Sequence, residues 1–209
     1  SYLPHLLALS ANSPFIEGVW THLHSARTQT FVRMFPRCGV PDAFGDWDEH
    51  RRFYETLVET NCIEEFTQVW WSVRPHHRFG TVEVRICDVQ TEPWQALAVA
   101  ALAVGLAADL TRAYDEGRLP APERSSYVEE NLWRAIRREE PAGDAIRRLV
   151  ERAAPYADET AIAPHLADVE RLLREGNGAQ RQARAFQRGA TLEEVYAETV
   201  ARARATSLG

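Results

Sequence analysis

The stretch Thr81-Val82-Glu83-Val84-Arg85-Ile86-Cys87-Asp88 decides the fold class. Valine and isoleucine alternate with polar residues at period two, the mark of a half-buried strand. Successive side chains point to opposite faces, so Val82, Val84 and Ile86 share one side, expected to be the core side. Thr81, Glu83, Arg85 and Cys87 share the other, where a carboxylate and a guanidinium project together two positions apart. A buried ion pair costs desolvation and is weak evidence of stability, so a cavity holding a metal and an anion is one account of it. A solvent-facing Glu–Arg pair is the other, and this strand alone leaves both open.

The preceding segment, residues 67–74, also reads as a strand. Val69, Trp71 and Val73 form an apolar face, while Gln68, Trp70, Ser72 and Arg74 form a polar one. Two strands with one apolar and one arginine-bearing face suit a sheet lining a nucleotide cavity, where a glutamate ligates Mg²⁺ and arginines neutralise phosphate oxygens. The connection Pro75-His76-His77-Arg78-Phe79-Gly80 reads as a loop too long for a tight hairpin. Adjacent histidines on a strand point apart and no third ligand accompanies His76 and His77, so both read as loop residues. Cys87 reads as a small buried thiol, and Trp70 and Trp71 as packing.

Working outward, residues 4–11 suit a short apolar helix begun by Pro4. Residues 12–46 are rich in Pro, Gly, Asn and Asp and read as loops around residues 25–34. Asp46 is placed to N-cap a helix over residues 47–60, with Asp48 and Glu49 in its first turn. From Glu92 the character changes. A helix over residues 93–114 is opened by Pro93 and stopped by Gly117 and Pro120. Another starts at Ser125/Ser126 and runs to about Arg138. Residues 143–153, 159–174 and 191–205 carry apolar residues at helical spacing, the last behind the capping-box signature Thr191-Leu192-Glu193-Glu194. The outline is α+β: loops and active-site strands over residues 1–91, then a helical C-terminal half over residues 92–209.

The 209 residues fit one domain, or one with a helical appendage. A net charge of −6 supplies no basic field for nucleic acid. Cys38, Cys62 and Cys87 are odd in number and lack CxxC spacing, which argues against a zinc site or a disulfide framework and for a reducing cytoplasm. Residues 96–110 are short for a membrane span and are interrupted by Gly105 and Asp109, so they read as a buried helix without a membrane partner. The opening Ser1-Tyr2-Leu3-Pro4 enters an apolar run without a polar lead-in, which is expected of a cut through a fold.

Trp70-Trp71-Ser72-Val73-Arg74-Pro75-His76 followed by residues 79–88 resembles the glutamate–cysteine ligase type 2 family of bacterial carboxylate–amine ligases. The resemblance extends over nearly the whole chain in the same order. It includes Ala8-Leu9-Ser10-Ala11-Asn12-Ser13-Pro14-Phe15, Glu17-Gly18, Ser25-Ala26-Arg27 and Phe35-Pro36-Arg37-Cys38-Gly39-Val40-Pro41. It continues through Glu130-Asn131-Leu132-Trp133-Arg134-Ala135 and Gly176-Asn177-Gly178-Ala179-Gln180-Arg181-Gln182.

The resemblance implies a glutamine-synthetase-like antiparallel sheet, here partial, backed by helices, so that residues 1–209 form part of a catalytic domain. It implies an ATP-dependent ligase that makes an acyl phosphate, then an amide (γ-glutamyl as the family default), ADP and phosphate. ATP and Mg²⁺ (or Mn²⁺) are the implied cofactors, with an amino-acid or other carboxylate substrate and an amine. Glu83 is implied as metal ligand, Arg85 as phosphate-contacting and catalytic beside Glu83, and Arg74 as a second phosphate or carboxylate contact at the rim. Arg27 with Ser25 is the implied substrate contact, a clamp on an α-carboxylate. Asn131, Arg134 and Arg137 stand at three-residue spacing near one helix face, where they either reach the substrate cavity or form an exposed polar stripe. Val19-Trp20-Thr21-His22 departs from the more polar, glycine-containing stretch usual there. A glutamate-rich N-terminal strand of that family has no counterpart here, which leaves a homo-oligomer or a complementary N-terminal segment as expected partners. Two other readings compete: a phosphagen-kinase-like phosphotransferase, against which the motif series argues, and a degenerate ligase domain kept for binding or assembly.

Overall fold

The computed structural model describes residues 1–76, 78–137 and 142–207. His77 and Arg138, which carried expectations, lie outside the described residues. The architecture is mixed and mostly helical, with three small two-stranded sheets among the described residues.

Helix α1 (Leu3–Ser10) begins, as expected, at a proline in its first turn, where the missing N–H costs nothing. A hairpin of β1 (Phe15–Ile16) and β2 (Val19–Trp20) turns on Glu17 and Gly18, both at positive φ (49° and 79°), the primed-turn geometry of tight hairpins. Helix α2 (Ala26–Met34) is N-capped by Ser25, whose hydroxyl accepts from the Thr28 N–H. Strand β3 (Cys38–Gly39) pairs in parallel with β4 (Trp70–Trp71). Between them lies α3 (Trp47–Glu59), capped by Asp46 as its sequence indicated.

The strands expected over residues 67–74 and 81–88 differ from expectation. Residues 66–68 form a 3-10 turn, and Ser72 breaks the expected first strand into β4 and β5 (Val73–His76). Strand β5 pairs antiparallel with β6 (Thr81–Val84) in the register Val73↔Val84, Arg74↔Glu83, Pro75↔Val82, His76↔Thr81. Pro75 and His76 therefore belong to the ladder, and Arg78, Phe79 and Gly80 lie in the turn before Thr81. Pro75 is tolerated because a two-stranded ribbon leaves edge positions without a ladder bond. The alternation in residues 81–88 also stops early. The N–H groups of Arg85 and Ile86 both donate to the Ser72 carbonyl (2.8 and 3.1 Å), which bends the chain out of the strand. Ile86 is consequently buried, while Val82 is 67% and Val84 39% exposed, so the expected core face of β6 looks outward.

The helical half is closer to its sequence signals. Helix α4 (Pro93–Asp115) opens with a reciprocal Glu92/Gln95 capping box and closes before Gly117. Helices α5 (Ser125–Arg137), α6 (Gly143–Ala153) and α7 (Ala163–Glu175) pack with α1 and α4 around Leu6, Leu7, Leu102, Leu132, Leu149, Val169 and Leu172. Helix α7 starts four residues later than its spacing indicated, after a turn through Ala161 at positive φ. In α4, Gly105 lets α6 approach: a Cβ there would sit 2.5 Å from that of Ala153. Helix α8 (Gly178–Gln187), absent from the sequence reading, is opened by reciprocal Asn177/Gln180 bonds, and α9 (Leu192–Ser207) by the expected Thr191/Glu194 pair. A second, aromatic core joins α3 to β4 through Tyr54, Ile63, Val69 and Trp71, flanked by Phe44, Phe53 and Phe66.

Candidate active site

Register puts Arg74 opposite Glu83, and cross-strand partners share a face. Arg74 donates from Nε to Glu83 Oε2 at 2.8 Å, and Arg85 donates from Nη1 to Glu83 Oε1 at 3.0 Å. The carboxylate thus lies between two guanidinium groups. Arg74 is not at a rim: it is buried, and its Nη1 also donates to the Thr67 and Val69 carbonyls, each at 2.6 Å. The polar face of the hairpin therefore closes over the chain's own 3-10 turn. Arg85 keeps a quarter of its side chain exposed and Glu83 about two-fifths.

Burial pushes the Glu83 carboxyl up, but hydrogen bonds and charge from Arg74 and Arg85 outweigh it and hold the group below its ordinary value of 4.5. A carboxyl depressed by folding stabilises the fold above its unfolded value, and that contribution is lost as pH falls through the folded value. NMR titration of Glu83 is expected to give a midpoint below 4.5 in the wild type, rising in Arg74→Met.

Two guanidinium groups around one carboxylate leave the cluster a net positive charge, which suits an anion. Both Glu83 oxygens already accept from arginine, and among the described residues no three His, Cys, Asp or Glu side chains gather into a metal-sized cluster. A metal on Glu83 would share an oxygen with a guanidinium, whereas Arg85 commits one nitrogen to Glu83 and still reaches solvent.

Ser25 and Arg27 belong to a different arrangement, centred on Asp88. This carboxylate is buried, and its Oδ2 accepts from the Asn12 N–H (2.8 Å) and Ser13 Oγ (2.7 Å). Its Oδ1 accepts from Ser25 Oγ (3.1 Å) and Arg27 Nη1 (3.4 Å). Arg27 Nη2 donates to the Arg85 carbonyl at 3.2 Å. Arg27 therefore locks the chain that carries Arg85. Asn12 extends the network to α8, its Oδ1 accepting from Gln182 Nε2 at 2.8 Å. Asn12, Ser13, Asp88 and Gln182 were not singled out by sequence reasoning as a group, although each lies in a quoted motif. Their signal was polarity alone, with no spacing in the sequence that groups them.

Asn131, Arg134 and Arg137 do not join Glu83 and Arg85. Helix α5 turns Val128, Leu132 and Ile136 into the helical core. Asn131 and Arg134 instead line a cleft of about 710 Å³ with His5, His24 and Arg148. Arg137 lies over the Trp133 ring at 5.4 Å. His76 stacks on Phe79 with centroids 4.5 Å apart. Burial pushes the Cys87 thiol up, away from nucleophile behaviour. Trp71 is buried among Phe44, Phe53 and Tyr54, and Trp70 meets Phe31 and Phe35, so both pack.

The family model described as glutamate-cysteine ligase family 2 matches residues 1–198. A protein of Solibacter usitatus, provisionally named glutamate–cysteine ligase 2, is 36% identical over 207 residues, covering 93% of this chain and 54% of its own length. One of Frankia casuarinae, provisionally named glutamate–cysteine ligase 2-1, is 40% identical over 202 residues, covering 90% and 52%. A similarly named protein of Frankia alni is 42% identical over 195 residues, covering 87% and 50%. The chain thus spans about half the length of the curated relatives it matches. With a model match over almost its full length, this chain belongs to glutamate–cysteine ligase family 2.

Proposed function

We propose that this chain is part of an ATP-dependent carboxylate–amine ligase, in which the Arg74–Glu83–Arg85 cluster receives the phosphates. The observation that carries this is one carboxylate fixing two guanidinium groups on a hairpin, one buried and anchored, the other reaching solvent. Phosphoryl transfer depends on positioning and on neutralising charge as it develops, and fixed guanidinium groups do both without reorganising. Arg74, held by two carbonyls, orients Glu83; Glu83 in turn orients Arg85; and Arg85 meets the anion.

In the proposed reaction a substrate carboxylate oxygen takes the γ-phosphoryl group of ATP and ADP leaves. The amine nitrogen then attacks the acyl phosphate and gives up a proton to solvent as the C–N bond forms, and phosphate departs with the C–O electron pair. Mg²⁺ or Mn²⁺ bound to the nucleotide would supply further neutralisation of the phosphates. The relatives' names make glutamate and cysteine the first substrates to try.

The test is phosphate release by the protein expressed from its complete natural reading frame. Release from ATP is expected only when a carboxylate and an amine are both present. Release with ATP alone refutes the ligase reading, and ATP binding without turnover on any such pair favours a binding module.

A further inference from the structure

Helices α1, α5 and α6 and the junction of α7 with α8 enclose the cleft of about 710 Å³ that Asn131 lines. Part of its lining is fixed in place. Asn177 is buried, its Nδ2 donating to the Ala8 carbonyl at 2.8 Å and its Oδ1 accepting from the Gln180 N–H at 2.9 Å. Ala8, Ala135 and Leu173, each half-buried, supply apolar surface. The polar part is electropositive. Arg148 makes no hydrogen bond or ion pair among the described residues, whereas on the same helix Arg147 is bonded to Asp144 and Glu170, and Arg152 to Asp109. Burial pushes the His5 imidazole below its ordinary value of 6.5, and nearby positive charge, that of Arg148 included, pushes it the same way. Asp144, the acidic residue on the lining, is 86% exposed and already engaged by Arg147. The exposed Asn131 side chain, like Arg148, is unbonded among the described residues.

We propose that this cleft binds a small amphiphilic carboxylate, its charged end on Arg148 and Asn131 and its apolar part against Ala8, Ala135 and Leu173. The volume is that of an ordinary small-molecule site, which spans about 300–1,000 Å³. A few converging polar groups in an otherwise apolar concavity are also the usual composition of one. One unpaired guanidinium beside an imidazole that burial keeps neutral offsets a single negative charge. A phosphate with two charges would leave one of them desolvated against the apolar lining. Glu83, Arg74 and Arg85 line no part of the cleft, so the site is additional to the hairpin cluster and does not depend on the ligase reading.

The test is an NMR titration of the protein from its complete reading frame with hexanoate, using hexylamine and inorganic phosphate as controls. Hexanoate is expected to bind saturably and to shift the amides of His5, Ala135 and Arg148, with both controls weaker by roughly tenfold or more. Arg148→Met keeps the apolar stem and removes the charge. It should weaken hexanoate about tenfold, the loss of a hydrogen bond to a charged group, and leave the unfolding midpoint where it is. Arg148→Lys should recover most of the binding. Equal hexanoate affinity in the wild type and Arg148→Met overturns the proposal. So does phosphate binding as tightly as hexanoate, which would make this an oxyanion site. Shifts confined to the hairpin around Arg85, or no shift at the three cleft amides, overturn it as well.

Discussion

Asp88→Ala is expected to destabilise the protein by about 2–5 kcal/mol, the loss of several charge-assisted hydrogen bonds to one buried carboxylate. The carboxylate ties together three segments that no regular element joins: residues 12–13, the N-terminus of α2, and the chain leaving β6. The ion pair with Arg27 contributes little of this, because that guanidinium is 41% exposed and screened by water. The cost comes instead from the Asn12 N–H left without an acceptor, at about 1–3 kcal/mol, and from the charge-assisted bonds lost by Ser13 and Ser25, whose hydroxyls fall back on weaker partners, Ser25 and Thr28. Asp88→Asn keeps the volume and one acceptor oxygen, so its loss should be smaller. Urea unfolding of both variants checks the order. An alanine variant within 1 kcal/mol of wild type would show that the network adjusts around the missing carboxylate.

The helices were legible where their signals are local. Asp46, Pro93 and the Thr191/Glu194 pair act within one turn of the residues they cap, so spacing alone identifies them. Helix α8 was missed because its buried residues are small, Gly178, Ala179 and Ala183, and give little apolar rhythm. Yet Asn177 and Gln180 stand three apart, a capping box in plain view. For β6, alternation revealed two unlike faces but not which one turns inward. That was decided by Arg74, whose bonds to the Thr67 and Val69 carbonyls draw the polar face onto the 3-10 turn and leave Val82 outside. The Asp88 network lay further from reach, since Asn12 and Gln182 are separated by 170 positions. No periodicity reports such a contact. The ordered motifs did contain every member, which is why family membership was readable where the network was not. The glutamine-synthetase-like sheet was an implication of that membership, and the three two-stranded sheets here do not by themselves amount to it.

Arg85→Ala is expected to lower ATP-driven phosphate release by about 10²–10³-fold, the range for removing one preorganised donor from a developing charge. The fold should survive, because Arg85 gives one side-chain bond to a partly exposed carboxylate, and an exposed pair of this kind contributes at most about 1 kcal/mol. Arg74→Ala should behave differently. It removes three bonds from a buried site and leaves the Thr67 and Val69 carbonyls unpaired, so stability and turnover should fall together. Glu83→Gln separates charge from shape: the amide still accepts a hydrogen bond but no longer fixes both guanidinium groups, and turnover should be abolished with the hairpin intact. Parallel measurement of initial rates and unfolding midpoints distinguishes these cases. Arg85, which meets the phosphate, and Glu83, which orients it from a half-exposed position, lose rate without stability, while Arg74, anchored in the interior, loses both. Wild-type turnover in Arg85→Ala would remove this hairpin from the reaction altogether, since Arg74 is too enclosed to meet the phosphate alone.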